Sequence, residues 1–218
     1  MIYNKEIAEK IGSYLLEIKA IKLNNANPFT WASGLRSPIY CDNRVALSYP
    51  EIRSYIKKQL VGAIRDNFSN VDAIAGVATA GIPQGALVAE ELGLPFVYVR
   101  SSTKAHGMTN KIEGKLDIGQ KVVVIEDLVS TGKSSLNAVM ALRDSGAIVE
   151  GMVAIFTYGL DIAEENFAEK NCKLIALCDY NAMINKAISE NYVTAEDEIS
   201  LMEWRKDPKK WSDGVMMQ

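Results

Sequence analysis

Residues 122–135, VVVIEDLVSTGKSS, carry the strongest chemical signal in the chain. Glu126 and Asp127 stand side by side at the end of an apolar run, and residues rich in hydroxyl groups follow them. In an open α/β sheet, ligands bind at the carboxyl ends of the strands. Because neighbouring strand side chains point to opposite faces, we expect the chain to begin turning at these acids if both serve one ligand.

The residues after the two acids suit a phosphate. We expect residues 128–134 to turn into a helix whose first backbone N–H groups point outward, where the helix dipole favours an anion. The hydroxyl groups of Ser130, Thr131 and Ser134 add donors. Acceptors for sugar hydroxyls beside donors for a phosphate are the combination that a phosphorylated ribose needs.

Two nucleotide-binding motifs and a purely structural interpretation compete with this one. GKS at 132–134 resembles the end of a Walker A loop, but that motif needs glycine at position 127, which is Asp. The dinucleotide fingerprint GxGxxG is absent from this stretch. The structural alternative is a buried strand followed by a capped helix with merely solvated acids. The doubled acid and the dense hydroxyl groups favour a functional site.

Alternating strand and helix patterns surround the motif and predict an α/β fold with an open, mostly parallel sheet flanked by helices. The predicted strands cover residues 71–75, 95–100, 121–126, 148–156 and 173–177. The predicted helices cover residues 82–92, about 132–146 and 161–170. Apolar stripes around 7–18 and 52–64 predict two earlier helices, the second opened by a capping box over residues 48–51. Residues 101–118 are predicted to form a polar loop.

The chain is predicted to be a single domain over residues 1–218. An N-terminal helix and a small hood segment occupy about 1–45, and the parallel α/β core occupies about 70–178. The last residues, EWRKDPKKWSDGVMMQ, fall outside the alternation and are expected to form a solvated end.

Composition narrows the class of protein. A net charge of −3 argues against a general nucleic-acid binder, because duplex binding depends on cationic side chains that neutralise phosphates. The three cysteines are odd in number and lack CxxC spacing, which disfavours a disulfide framework or a zinc site and fits a reducing cytosol. The sequence shows no signal-peptide block and no membrane-spanning stretch. We therefore expect a cytoplasmic protein that binds neither nucleic acid nor membrane.

The motif VVVIEDLVSTGKS resembles the phosphoribosyl diphosphate (PRPP) motif of the type I phosphoribosyltransferases. Three further stretches resemble the orotate phosphoribosyltransferases within that family. They are the orotate-side segment PFTWASGLRSPIYCDNR at 28–44, the pyrophosphate-side loop GVATAGIP at 76–83 and the mobile catalytic loop RSSTKAHGMTNKIEG at 100–114. The likeness spans about residues 5–190.

The resemblance implies a type I phosphoribosyltransferase fold and a transfer of the 5-phosphoribosyl group from PRPP to N1 of orotate. The products are orotidine 5′-phosphate and diphosphate, as in the synthesis of UMP. It also implies Mg²⁺ held mainly through PRPP, with no protein ligand assigned. A homodimer is implied in which the loop over 101–113 reaches the site of the partner subunit.

The resemblance also assigns residues to roles. The catalytic residues are Lys104, His106 and Asp127. The PRPP-binding residues are Arg100, Lys104, His106, Glu126, Asp127, Leu128, Val129, Ser130, Thr131, Gly132, Lys133 and Ser134. The diphosphate loop consists of Ala78, Thr79, Ala80 and Gly81, and the orotate-binding residues are Ser130, Phe29 and Tyr158. Independently of the family, the cations Arg100, Lys104 and His106 could meet the charge of a departing diphosphate.

Some positions depart from the family pattern, and two rival functions stay open. Many members carry lysine at the positions of Ala32 and Ala80 and just after the loop arginine, and some carry arginine at Tyr158. Arg36 and backbone amides are candidates to receive the carboxylate of orotate. The accepted base could instead be a purine. The chain could also be a regulator that binds PRPP without catalysis, although such proteins usually add a DNA-binding module, for which there is no room before residue 50.

Overall fold

The computed structural model describes residues 1–31, 33–101 and 111–216. Its strands are β1 (Ile21–Leu23), β2 (Phe29–Thr30), β3 (Arg36–Ser37), β4 (Ile39–Cys41), β5 (Ala73–Val77), β6 (Phe96–Val99), β7 (Ile112–Glu113), β8 (Lys121–Val129), β9 (Ile148–Thr157) and β10 (Leu174–Asp179). Its helices are α1 (Lys5–Glu17), α2 (Pro50–Asn67), α3 (Gly81–Leu92), α4 (Lys133–Asp144), α5 (Asp161–Glu169), α6 (Tyr180–Ser189), α7 (Ala195–Lys206) and α8 (Pro208–Met216), with a 3₁₀ helix at Asn43–Ser48.

The main sheet has six strands in the order β10-β9-β8-β5-β6-β7. Its neighbouring strands are parallel, except that β7 runs antiparallel to β6. The four residues 122–125 of β8 are all fully buried, because one apolar cluster covers each face of the sheet. A continuous apolar run is typical of such a doubly covered parallel strand. The predicted fold class is confirmed.

The central strand is longer than predicted. The pairing of β8 with β9 continues through Glu126, Leu128 and Val129, so the chain does not turn at the two acids. The expectation of a turn there was wrong. The polar side chains suggested the end of the strand, but its backbone hydrogen bonds to β9 continue. The strand β7 also lies inside the predicted loop 101–118, and its two residues are too few to show an alternating pattern.

Helix boundaries are confirmed at α3 and corrected at α2. Gly93 ends α3 in the left-handed conformation, with φ 67°. Pro50 occupies the first turn of α2, as predicted, but the N-cap is Tyr49 and no side chain caps it. Ser48 instead ends the preceding 3₁₀ helix, so the predicted capping box is wrong.

The C-terminal residues form two helices that cover the hood, and the expectation of a solvated end was wrong. Trp204 of α7 is fully buried, with its ring 5.6 Å from that of Trp31 and 5.4 Å from that of Tyr158. The hydroxyl group of Ser212 in α8 accepts a hydrogen bond of 2.9 Å from the backbone N–H of Arg36 in β3. The charged residues of this tail concealed the few buried side chains that attach it.

Two properties bear on the predicted environment. Cys41, Cys172 and Cys178 are all free thiols. Among the described residues, no helix has the length and apolar character needed to cross a bilayer. The predicted boundaries of the hood and the core remain predictions.

We expect Trp204→Ala to lower the free energy of unfolding by about 3–5 kcal/mol, because a large aromatic core side chain is lost. Ile199→Ala in the same helix is the matched control, since Ile199 is 69% exposed. It should change stability by no more than about 0.5 kcal/mol. Urea unfolding followed by circular dichroism measures both. Equal stability of the two variants would mean that the C-terminal helices are not part of the core.

Candidate active site

Glu126 lies buried at the carboxyl end of β8. Its Oε2 accepts a hydrogen bond of 2.8 Å from the hydroxyl group of Ser135, in the first turn of α4. Its Oε1 accepts one of 3.1 Å from the backbone N–H of Asp127. These bonds fix the carboxyl group between the strand and the helix that follows it.

The hood is attached to the same strand end through Asn43. The side-chain amide of this buried residue donates a hydrogen bond of 2.7 Å to the backbone carbonyl of Asp127. Its Oδ1 accepts a hydrogen bond of 3.3 Å from the thiol of Cys41. The segment after β4 therefore has a defined position relative to the two acids.

Both acids border one cavity of about 290 Å³. Its lining residues come from the hood, the end of β5, the end of β8 and the start of α4. They are Cys41, Asp42, Arg44, Val77, Ala78, Thr79, Ala80, Glu126, Asp127, Leu128 and Ser134. The cavity exists because β5 ends at Val77, while β8 continues beyond its last pairing with β5 at Ile125. Adjacent acids can thus border one cavity although the strand has not turned.

Burial and proximity make the two carboxyl groups hold protons more tightly. Burial, and then the neighbouring charge of Asp127, raise the pKa of Glu126 to about 8. Burial also raises the pKa of Asp127, while hydrogen bonding to Glu126 and to backbone N–H groups and, to a smaller extent, the charge of Arg44 act in the opposite direction. The ligand-free pair therefore binds a proton more tightly than two separate, solvated carboxyl groups would.

The predicted diphosphate loop, residues 78–81, lies against β8 because position 81 is glycine. A Cβ atom at Gly81 would lie 2.5 Å from the carbonyl oxygen of Ile125. The loop is also held by a hydrogen bond of 2.9 Å from the N–H of Ala78 to the carbonyl of Val99. The peptide bond between Ala78 and Thr79 is cis. The loop places backbone groups and the Thr79 hydroxyl beside the acids, and it contributes no cation.

The predicted phosphate loop leads into the N-terminus of α4. Gly132 has φ 78°, and no side chain within the described part of the chain caps the first turn of the helix. Thr131, Lys133 and Ser134 are exposed, and Ser130 is partly buried. Uncapped N–H groups at a helix N-terminus are suited to an anion. The side chain of Val129 is instead fully buried in the sheet, so only its backbone could contribute.

A second, smaller cavity of about 80 Å³ shares Val77, Ala78 and Ser134 with the first. Its other lining residues are Val99, Arg100, Ser101, Lys111, Asn137 and Ala138. The guanidinium of Arg100 lies 3.3 Å from the carboxylate of Glu113. The cavity adds Lys111 and Asn137 to the candidates found from the sequence. Lys111 could have been found by extending the cationic cluster of the loop by a few residues.

The three predicted orotate-binding residues are placed differently. Ser130 follows β8 directly, beside the phosphate loop. Tyr158 is 2% exposed within an aromatic cluster, burial raises the pKa of its hydroxyl, and it is not among the residues that line either cavity. Phe29 packs against Tyr40 at 5.8 Å between ring centroids and is not among the residues that line either cavity.

Two predicted catalytic residues cannot be placed. Lys104 and His106 lie outside the described residues, as does Ala32. Within the described ranges, no group of three or more His, Cys, Asp or Glu side chains is arranged to hold a metal ion. The carboxyl groups that line the larger cavity are those of Asp42, Glu126 and Asp127.

Comparisons with known proteins place the chain in a family. A model of the phosphoribosyl transferase domain matches residues 49–185. The orotate phosphoribosyltransferase of Porphyromonas gingivalis is 56% identical over 207 residues, covering 95% of this chain and 99% of that protein. This chain belongs to the orotate phosphoribosyltransferases.

Solved structures agree with this placement. The orotate phosphoribosyltransferase of Aeropyrum pernix aligns with a TM-score of 0.73 and 27% identity, over 84% of this chain and 99% of that one. The UMP synthase of Leishmania donovani aligns with a TM-score of 0.77 and 25% identity, over 92% of this chain. This chain spans only 42% of that longer protein. This chain has the type I phosphoribosyltransferase fold.

The orotate-side segment 28–44 includes Asp42, Asn43 and Arg44, but sequence reasoning gave none of the three an individual role in the site of this orotate phosphoribosyltransferase. The three polar residues directly follow the short strand β4. A polar triplet at a strand end was the available signal. Without the hydrogen bond from Asn43 to β8, nothing in the sequence shows that this triplet meets residues more than 80 positions later.

The stability of the ligand-free protein should fall as pH rises from about 5 to 8, because unfolded Glu126 releases its proton at a lower pH than the folded residue. Glu126→Gln should reduce this slope and should be more stable than the parent chain at pH 8. The exposed Glu165→Gln is the control and should retain the parent slope. Urea unfolding across this pH range tests it. An unchanged slope in Glu126→Gln would show that Glu126 is ionised in the folded protein.

Proposed function

We propose that this chain transfers the 5-phosphoribosyl group of PRPP to N1 of orotate, releasing diphosphate and forming orotidine 5′-phosphate. The observation that carries the proposal is the larger cavity, where two adjacent carboxyl groups meet the loop at 78–80 and the start of α4. This arrangement supplies acceptors for a diol and donors for phosphate groups within one site.

The ribose and its 5′-phosphate are proposed to bind along the end of β8. Glu126 and Asp127 would accept hydrogen bonds from the two ribose hydroxyls. The 5′-phosphate would lie on residues 130–134, against the uncapped N-terminus of α4. Gly132 would be required there, because a Cβ atom at this position would lie 2.7 Å from the ring of Phe167.

The diphosphate is proposed to leave toward the smaller cavity. Breaking the C1 bond gives the ribosyl group cationic character, which nearby carboxylates stabilise, as in glycoside hydrolysis. The departing group gains negative charge and needs cations. Arg100 and Lys111 border this cavity. By family resemblance, Lys104 and His106 would join them.

Mg²⁺ is proposed to enter with the diphosphate. Magnesium prefers oxygen ligands, keeps several waters and is often bound through substrate phosphates with one or two carboxylates. We assign the ion no protein ligand, although the carboxyl groups of Asp42, Glu126 and Asp127 line the same cavity. When bound, the ion would supply positive charge to the leaving diphosphate.

Orotate is proposed to lie on the hood side of the larger cavity, near Cys41, with Ser130 and Tyr158 as contacts by family resemblance. The nitrogen that attacks is anionic or easily made so, and no strong protein base is required. Positioning and charge stabilisation should therefore dominate the rate enhancement. We further propose a homodimer in the cytoplasm, which the family resemblance supports.

The substrate is tested by mixing the protein with PRPP, Mg²⁺ and either orotate or a purine base, and by following the ultraviolet absorbance of the base. Consumption of orotate alone is expected. Consumption of a purine would replace orotate with that base. Binding of PRPP without consumption of any base would instead favour the non-catalytic regulator.

Sites shared between subunits are tested by mixing two inactive variants. Asp127→Asn should lose ribose binding, and Lys104→Ala should lose turnover because the diphosphate charge that it meets develops late. If the loop at 101–113 serves the partner's site, refolded mixtures should recover about a quarter of the parent activity, because half of randomly formed dimers contain one intact site. Each variant refolded alone is the control. No recovery would indicate self-contained sites.

A further inference from the structure

Arg44 is the cationic side chain that lines the larger cavity within the described part of the chain. Three carboxyl groups, those of Asp42, Glu126 and Asp127, line the same cavity. The side chain of Arg44 is 58% exposed, so a ligand in the cavity can reach it. Its charge also acts on Asp127 in the same lining, where it opposes in small part the rise that burial causes in the pKa of that carboxyl group.

The guanidinium of Arg44 is oriented by Asp42. Its Nε donates a hydrogen bond of 2.6 Å to Oδ1 of Asp42, and its Nη2 donates one of 3.0 Å to Oδ2. This pairing uses one side of the planar group. The end of the guanidinium, where Nη1 and Nη2 each present an N–H, remains available. That end can hold a second carboxylate through two parallel hydrogen bonds.

The backbone of this triplet is also fixed relative to the site. Asn43 lies between Asp42 and Arg44, and its side chain donates to the carbonyl of Asp127 over 2.7 Å. The backbone N–H of Arg44 donates to Oδ1 of Asp42 over 3.2 Å. The backbone at Arg44 is therefore held close to β8 through the neighbouring Asn43, although the Arg44 side chain extends into solvent.

The other arginine of the hood is less suited to this cavity. The guanidinium of Arg36 donates to the hydroxyl group of Thr30 over 2.9 Å, across the β2–β3 pair. Arg36 is not among the residues that line either described cavity. Its position predicts a role in holding the hood together, and not contact with a ligand beside Asp127.

We propose that Arg44 receives the carboxylate of the pyrimidine and so distinguishes orotate from bases without that group. The inference rests on the proposed function and names the residue that recognises the base. Asp42 is a positioning residue, since it binds the Nε side of the guanidinium and leaves the Nη1–Nη2 end for a ligand. The carboxylate of the ligand then accepts hydrogen bonds from Nη1 and Nη2, the end of the Arg44 guanidinium that Asp42 leaves available.

The test compares two nucleotides that differ by one carboxylate. Orotidine 5′-phosphate carries it and uridine 5′-phosphate does not, while the ribose and the phosphate are the same. Binding of each to the intact protein is measured by calorimetry at low salt. Arg44→Gln should lose about 10- to 100-fold in affinity for orotidine 5′-phosphate, the range for hydrogen bonds to charged groups. Its affinity for uridine 5′-phosphate should change less than about threefold.

Removing Arg44 also leaves Asp42 unpaired, and that charge alone could repel the ligand. The double variant Asp42→Asn/Arg44→Gln removes both charges and keeps the net charge of the parent. It should still lose the preference for orotidine 5′-phosphate. Recovery of the preference in the double variant would overturn the proposal, because the loss would then be repulsion by Asp42.

Arg36→Gln is the matched comparison within the hood. It should retain the parent ratio of the two affinities. A loss of the ratio in Arg36→Gln, with retention in Arg44→Gln, would transfer the role to Arg36. If Arg44→Gln loses the same affinity for both nucleotides, Arg44 would be assigned to the ribose or the phosphate instead of the base.

The parent protein separates this inference from the proposed function. If the parent consumes orotate and binds orotidine 5′-phosphate more tightly than uridine 5′-phosphate, the proposed function stands whatever Arg44→Gln does. If the parent shows no preference and consumes no orotate, the proposed function itself fails.

Discussion

The site depends on the unequal lengths of two neighbouring parallel strands. β5 ends at Val77, while β8 continues to Val129 and beyond Ile125 is paired only with β9. The side of β8 that β5 leaves uncovered is where the cavity opens. Ligands in open α/β sheets bind outside the carboxyl ends of the strands. Here the part of β8 that extends beyond β5 also contains the two acids, Glu126 and Asp127.

That placement has an energetic cost, which the structure offsets only in part. Burying two adjacent carboxyl groups disfavours their ionised forms, and the pKa of both is raised. The hydrogen bond from Ser135 and the charge of Arg44 act in the opposite direction. A ligand that brings hydroxyl groups and a divalent cation would relieve the remaining penalty. The two buried acids thus lower the stability of the ligand-free protein, as expected where function competes with stability.

The alternating core was predictable from the sequence because the burial of each strand and helix leaves a pattern of apolar residues within that element. Apolar runs such as 121–126 and apolar stripes such as 52–64 arise locally, and so do helix stops such as Gly93. The proposed ribose and phosphate site also has a local signal in the sequence, since the two acids and the predicted phosphate loop are contiguous. The individual position of Arg44 within the orotate-side segment was not predictable, because it depends on one hydrogen bond between Asn43 and Asp127 across 84 positions. Long-range contacts of single polar residues leave no periodic pattern.

The C-terminal helix α7 contacts both the hood and the end of the core strand β9. Arg205 of α7 donates hydrogen bonds to the carbonyls of Tyr158 and Gly159, directly after β9. Trp204 packs on Trp31 of the hood and on Tyr158 together. Segments outside the alternating core therefore build the hood side of the cavity, while the core supplies the acids and the phosphate loop. Because a shared fold leaves the ligand undetermined, choice of the base can reside in the hood, Tyr158 and the C-terminal helices, and chemistry on the ribose can reside in β8.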